Sequence, residues 1–366
     1  MKRIAELDAI RGIAALAIMV NHLPFSNRIT HLGAYGVDLF FVLSGYLITT
    51  IILKNSGSPG FMTSFYARRS LRIWPIYYLA LVVVMAINPL LHPPFSLRAW
   101  PYYATYTQGI QEYWFGQVPA FSPLLDHTWT LALEEQYYLV WPALVVLLGG
   151  RSVAPLAIVL TLVAITARSF GFLNRILFGR CDGFALGGLL AVVLLNGEAA
   201  RARPKGYLLG FGLIALVALG FPAWGGPMTR LARLVWPSLD AVAVAGSLRL
   251  AAVTTVFFSV VGVILLLAGR PMLVGLRDRR LVFLGQISYG IYLYHYPVYY
   301  LIDTMTGQGT AWWAVAMKIV TSVAVASLSW RWIESPILGL KSRFSYRRDQ
   351  GGPNGVTRSV TGPSSS

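Results

Sequence analysis

Apolar residues run along this chain in long blocks, not in the alternation of a half-buried strand or the single stripe of a surface helix. The blocks approach the ~20 residues that a bilayer requires. Polar or Gly- and Pro-bearing breaks divide them into 8–24, 33–53, 71–88, 129–149, 152–168, 178–196, 207–223, 250–268, 283–302 and 311–334. The first is short by hydropathy. Residues 228–248, with Arg230, Arg233, Trp236, Pro237 and Asp240, read as an interfacial or re-entrant piece. The pattern predicts an all-α polytopic membrane protein, a bundle of about ten transmembrane helices over residues 1–340 with the lipid bilayer as its solvent. Residues 341–366, basic and rich in Gly, Pro and Ser, read as a disordered cytoplasmic tail.

Composition agrees. Of 366 residues, 56% are hydrophobic and 12% charged, and mean hydropathy is +0.61, well above soluble domains. A net charge of +16 would fit a nucleic-acid partner only if a soluble domain offered a basic groove, and none is present to do so. The cations gather instead at the N-terminus and in Lys54–Arg72, Arg201–Lys205, Arg270–Arg280 and Lys341–Arg358. These are alternate loops plus both ends, as the positive-inside rule asks of cytoplasmic segments. Both termini in the cytoplasm imply an even number of spans. Arg168, Arg175, Arg180, Arg230, Arg233 and Arg249 fall on the other side and weaken the rule locally. Met1-Lys2-Arg3 resembles the start of a signal peptide, but Glu6, Asp8 and Arg11 interrupt it and no small-residue cleavage site follows, so the segment reads as retained. The lone Cys181 reads as a small buried residue, which leaves no internal disulfide and no cysteine metal site.

The informative residues are the polar ones inside the apolar blocks, because each must face protein or water. Arg11 and His22 are eleven positions apart in the first block; at ~100° per residue they share one stripe, separated by roughly 16 Å of rise. Asp38 opens the second block, where it either reaches His22 across a short hairpin or serves the helix dipole. Arg69 and Arg72 are three apart and project from one helical face, a clamp for phosphate oxygens or simply topological cations. Glu134 and Glu135 lie several residues inside an apolar helix, pointing ~100° apart; at least one should meet a cation or histidine, if only as a structural ion pair. Arg180 and Asp182 read as a salt bridge at the outer boundary, and Gly183 and Gly187 as a close-packing face. Ser288 and His295 share a face of the ninth block, where His295 reads first as a core histidine. The outer loop 89–128, rich in Pro, Trp and Tyr, reads as interfacial aromatics or as a lid that contacts an acceptor.

No Gly-rich phosphate loop, metal-spaced histidine cluster or Gly-x-Ser-x-Gly elbow appears. What remains suits acyl transfer: a neutral imidazole removes the proton of an attacking hydroxyl, and cytoplasmic arginines hold the phosphates of an acyl carrier. The rival is a transporter or proton relay built from the same groups, although no inverted repeat or symmetric helix break supports it.

Five motifs in order carry a resemblance: Leu7-Asp8 through Arg11-Gly12 with His22; Gly36 to Gly45; Arg69-x-x-Arg72; His127-Thr128-Trp129-Thr130-Leu131 with Glu134 to Tyr138; and Ile287-Ser288-Tyr289 with His295. From Ile4 to Pro336 the chain resembles the bacterial acyltransferase 3 family of integral membrane acyltransferases. The resemblance implies transfer of an acyl group, most often acetyl from acetyl-CoA or another acyl-CoA, to a hydroxyl of a carbohydrate or glycosylated acceptor, in the bacterial inner membrane and without a metal. The acceptor it implies is a cell-surface or exported polysaccharide, with a secondary metabolite such as a macrolide sugar as the alternative. Residue by residue it implies His22 as the base and Glu134 as the acid of the motif after His127, with Arg11 paired to His22 and Arg69 and Arg72 coenzyme-binding; Asp38, a candidate from hairpin geometry, would join His22 and Glu134 in the catalytic set by holding the His22 tautomer, and Arg11 would join the coenzyme-binding cations. Thr130 stands where the family usually has serine, a swap that keeps the hydroxyl. The chain resembles the stand-alone type, without a fused esterase-like domain.

Overall fold

The computed structural model describes residues 3–25, 28–91, 97–110, 122–171, 175–195, 200, 202–234, 236–307 and 309–346. They form helices joined by short turns, with no strand among the described residues. The principal helices are α1 (Ala5–Asn21), α2 (Gly36–Asn55), α3 (Phe61–Leu91), α4 (Trp129–Leu148), α5 (Val153–Ser169), α6 (Leu177–Val193), α7 (Pro204–Leu219), α8 (Ala241–Leu267), α9 (Arg279–Gln286), α10 (Ser288–Thr306) and α11 (Trp312–Ser329).

Among the described residues, seven helical runs are long and apolar enough to cross a membrane: Leu32–Asn55, Phe61–Asn88, Pro123–Leu148, Gly150–Ser169, Pro204–Ala232, Ala241–Leu267 and Trp312–Arg343. The other three expected spans are helical as α1, α6 and α10, but α1 and α6 have only 17 residues each and α10 is interrupted by Tyr and His. These three sit inside the bundle, where neighbouring helices cover them and unbroken hydropathy is not demanded. Outward-facing Leu147, Leu162, Leu209 and Val242 are strongly exposed, as expected of a surface solvated by lipid. The chain is a polytopic helical membrane protein.

Three local expectations change. Helix α8 begins at Ala241, capped by the Asp240 carboxylate accepting from Val242 N and Ala243 N, so 241–248 extends the eighth span and only Gly225–Ala232 forms a separate short helix. Residues 61–70, which stand ahead of the third block, lie within the 31-residue helix α3, which therefore begins ten residues before the apolar stretch. Part of the outer loop folds inward: Tyr77 Oη donates to Tyr103 O and Tyr78 Oη to Ala104 O, both at 2.9 Å, and Gln136 Nε2 donates to Tyr106 O at 2.7 Å. Those side chains satisfy backbone carbonyls at mid-helix depth, the condition for irregular chain inside a bilayer. Tyr103 and Tyr106 are consequently buried, not displayed on a lid. Residues 92–96 and 111–121 of the same loop lie outside the described residues, as do 347–366 of the expected tail. Residues 341–346 pack on the body, with the Tyr346 ring against Phe61 and the Arg68 guanidinium.

Helix α1 is the axle. Its Leu7, Ile10 and Ala14 join the apolar cluster with α2, α6, α7 and α8; Ile18 joins that with α3, α4 and α10; Ala15 and Met19 join that with α10 and α11. Small residues permit the closest crossings. A Cβ on Gly285 would collide with the Asp8 carbonyl, and one on Gly187 with the backbone of Val42 and Tyr46. Replacing Gly187 by Leu should therefore part α2 from α6, costing about 1–3 kcal/mol or more. A melting curve of the detergent-solubilised protein checks this, and an unchanged midpoint would contradict the close approach.

Candidate active site

Each polar side chain within the bundle is delivered by the periodicity of its helix. Arg11 and His22 lie on the shared stripe of α1, and His22 closes the helix with non-helical backbone angles two residues before Pro24. Arg11 lines a small cavity of about 40 Å³, room for a few water-sized groups, together with Phe40, Thr130, Glu134, Tyr289 and Tyr292. Its Nε has no hydrogen-bond partner among the described residues.

Glu134 accepts hydrogen bonds from Ser44 Oγ of α2 and from Tyr138 Oη one turn along α4. Glu135 points elsewhere, its Oε2 accepting from Trp74 Nε1 at 2.8 Å. The two acids thus face different partners, as their spacing predicts. Neither makes a direct ion pair among the described residues; neutral donors bond them, and the expected cations stand farther off, Arg72 within electrostatic reach of Glu134 and Arg69 of Glu135. Tyr138 and Glu135 also line a second cavity of about 260 Å³ with Arg69, Ser70, Trp74 and Gln136. The bonded pair Glu134 and Tyr138 stands where the two cavities come closest in sequence, one residue lining each.

At one end of the bundle the cations converge. Arg72 is within electrostatic reach of Arg11, Arg69 and Glu134, and Lys341 of Arg68, Arg69 and Arg72. The Arg69 guanidinium lies over the Tyr138 ring, 5.0 Å from its centroid. Arg68 spends its Nη1 on the carbonyls of Lys341 and Phe344. None of these five cations has a carboxylate within ion-pair distance among the described residues. Glu134 and Glu334 lie within electrostatic reach of Arg72, and Glu135 of Arg69, yet positive charge stays in excess here, the setting an anionic ligand relieves.

Toward the other end three histidines meet. The His22 and His295 rings stack at 5.1 Å, with His22 Nδ1 3.0 Å from His295 Nε2. Tyr296 lies between His22, 4.8 Å away edge-on, and His127, whose ring is parallel to it within 6° at 4.8 Å. Tyr292 Oη joins this group to the small cavity, since it bonds Thr130 Oγ1 and the His127 carbonyl, each at 2.6 Å. Thr130 thereby uses the hydroxyl that a serine would supply.

His127 was not singled out by its position in the sequence, where it reads as the residue before a helix. It is 4% exposed, and neither ring nitrogen makes a hydrogen bond of good geometry among the described residues, the backbone of Tyr292 and Leu293 being its polar neighbours. The available signal was a histidine directly ahead of an apolar block that carries buried acids.

Asp38 is located elsewhere than expected. Its Oδ1 accepts from Arg180 Nη2 at 2.8 Å, both residues being buried, and His22 turns to His295 instead. Asp182 pairs with Arg168 at 2.8 Å, so the expected Arg180–Asp182 bridge is exchanged for two bridges that tie α6 to α2 and α5. Removing one member of such a pair strands a buried charge. Asp38→Ala should destabilise by about 3–5 kcal/mol, whereas Asp38→Leu with Arg180→Met should lose much less. Denaturation of the two variants in the same detergent compares them, and equal losses would argue against the pairing.

The acyltransferase 3 family pattern, described as an acyltransferase domain, matches residues 4–331. Peptidoglycan O-acetyltransferase OatA of Listeria monocytogenes is 28% identical over 373 aligned positions, covering 92% of this chain and 56% of that protein. YrhL of Bacillus subtilis is 29% identical, with 94% and 56% covered, and O-acetyltransferase OatA of Staphylococcus aureus is 25% identical, with 90% and 56% covered. The chain therefore spans a little over half the length of these relatives. No solved structure matches it.

Proposed function

The chain belongs to the acyltransferase 3 family and is an acyltransferase, and from that premise we propose that it moves an acetyl group from acetyl-CoA to a hydroxyl of a cell-wall polysaccharide in the bacterial inner membrane. The observation that carries the reading is a cluster of five cations, none in a direct ion pair among the described residues, joined along α1 to the histidine cluster at His22. Relatives named as peptidoglycan O-acetyltransferases support the class of acceptor.

In this reading the basic end faces the cytoplasm, with ten helices crossing and both termini inside. Arg69 and Arg72 hold phosphates of the coenzyme, and Arg11 meets the flexible arm as it enters the bundle. Glu134, held by Ser44 and Tyr138, lines the way and keeps it polar. His22 takes the proton of the acceptor hydroxyl as that oxygen attacks the thioester carbonyl; the carbon–sulfur bond breaks and the thiolate receives the proton. His127, stacked on Tyr296 beside His295, offers a hydrogen bond to the acceptor or to the carbonyl oxygen as its charge grows. Asp38 acts only through Arg180, as support for α2.

The direct test is mass spectrometry of cell-wall glycans from cells with and without the protein, paired with release of free coenzyme from acetyl-CoA by purified protein given glycan fragments. Loss of alkali-labile acetyl groups without the protein is the expected result. Identical glycans, together with no coenzyme release, would refute the reading.

A further inference from the structure

The partner of His22 is another imidazole, and the hydrogen bonds around that second ring fix which nitrogen of each carries a proton. His295 Nδ1 lies 2.7 Å from the Tyr292 carbonyl oxygen and 3.2 Å from that of Ile291. A carbonyl oxygen only accepts, so Nδ1 of His295 bears hydrogen. The ring is 0% exposed, and no carboxylate bonds it among the described residues. The titratable groups packed around it are His22, His127, Tyr292, Tyr296 and Tyr299, none of them an anion that would hold a buried cation. A neutral ring with hydrogen on Nδ1 has a bare Nε2. His22 Nδ1, 3.0 Å from that Nε2, must then be the donor, which leaves the lone pair of His22 on its own Nε2.

We propose that His295 is a positioning residue: it selects the His22 tautomer with a bare Nε2, doing with an imidazole what a carboxylate does in most base-orienting pairs. The inference rests on the reading of His22 as the base. During transfer the acceptor oxygen bonds to the acyl carbon, its proton passes to His22 Nε2, the carbon–sulfur bond breaks, and the proton moves on to the thiolate sulfur. The Nδ1 hydrogen of His22 stays in place throughout, donated to His295, so the positive charge that appears on His22 meets a ready lone pair and no second proton moves. His295 exchanges no proton and touches no reactant. Its identity matters only through an acceptor atom at the right distance, backed by a donor aimed at the helix carbonyl.

The test compares His295→Phe, which keeps ring volume but offers no acceptor, with His295→Gln, whose amide oxygen accepts from His22 while its nitrogen faces the helix carbonyls. Purified full-length protein is assayed with acetyl-CoA and glycan fragments. His295→Phe is expected to lower kcat about 10²-fold or more with KM for acetyl-CoA changed by less than about threefold, and His295→Gln to recover at least tenfold of that loss. The acid limb of the kcat profile should move to lower pH in His295→Phe, because the imidazolium of His22 loses its acceptor, and return toward the original in His295→Gln. If His295→Phe fails to insert, His295→Asn replaces it, being polar but too short to reach His22. Equal activity in the Gln and the disruptive variant, or an unmoved acid limb, would overturn the proposal. The His22→Ala variant separates the two readings. If it stays active, the base assignment itself has failed. If it is inactive while His295→Phe matches the parent, only the positioning role has failed.

Discussion

His22→Ala is expected to lower acyl transfer by about 10²–10⁴-fold, the contribution of a well-placed general base, while leaving membrane insertion and the melting midpoint nearly unchanged. The residue closes α1 through its backbone N–H, its side chain is only partly buried, and the hydrogen bond that side chain makes among the described residues is to another side chain, so its removal opens little space in the packed bundle. The loss should appear in kcat, not in KM for acetyl-CoA, because the arginines proposed to hold the coenzyme phosphates gather near Arg11, itself roughly 16 Å along α1 from His22. Single-turnover release of coenzyme from the purified variant measures the step directly. Product formed at the parent rate would remove His22 from the chemistry.

What was legible in the sequence is whatever a single helix decides for itself. Arg11 and His22 had to share a stripe because eleven residues close three turns, and Glu134 and Glu135 had to diverge because adjacent residues on a helix do. Long apolar blocks announced the class of fold. Partners chosen across the bundle were not legible, since nothing local distinguishes them. Asp38 looked toward His22, the nearest titratable group by hairpin geometry, but its cation comes from Arg180, 142 positions along the chain. His295 looked like a core residue and His127 like a helix-start residue; only the crossing of α1 over α10, together with the turn that leads into α4, brings them to His22. The inward fold of 97–110 was hidden for a related reason. Pro, Trp and Tyr suit an interface by composition, and the fact that Tyr77 and Tyr78 satisfy the carbonyls of Tyr103 and Ala104 is visible only in three dimensions. Residues 61–70 stood outside the third block because hydropathy marks only its apolar part, whereas arginines are tolerated within α3 where several cations gather.

The double replacement Arg69→Ala with Arg72→Ala should weaken binding of acetyl-CoA by about 10²-fold or more while kcat at saturating donor falls far less. A charge-assisted hydrogen bond contributes about 1.5–3 kcal/mol, and two removed from one phosphate group multiply to at least that factor. Neither arginine makes an ion pair among the described residues; the change relieves repulsion with Arg11 and Lys341 but also removes the attraction of Arg72 for Glu134 and Glu334 and of Arg69 for Glu135, so the opposing effects should leave stability little changed. A large loss of affinity with little change in stability is a result that a purely topological role for these cations does not produce. Added salt should weaken the parent more than the variant, because the screened charges are the ones deleted. Acetyl-dephospho-coenzyme A provides the complementary deletion on the ligand. If the arginines grip the phosphate it lacks, the parent loses affinity for it and the double variant does not distinguish it from the full coenzyme, whereas additive losses would send the grip to the other phosphates. Lysine at both positions should restore only part of the affinity, since a point charge returns the attraction without the two-pronged fit. Titration calorimetry of the purified proteins across this set resolves each case, and an affinity unchanged by the double replacement would confine both arginines to orienting the helix in the membrane.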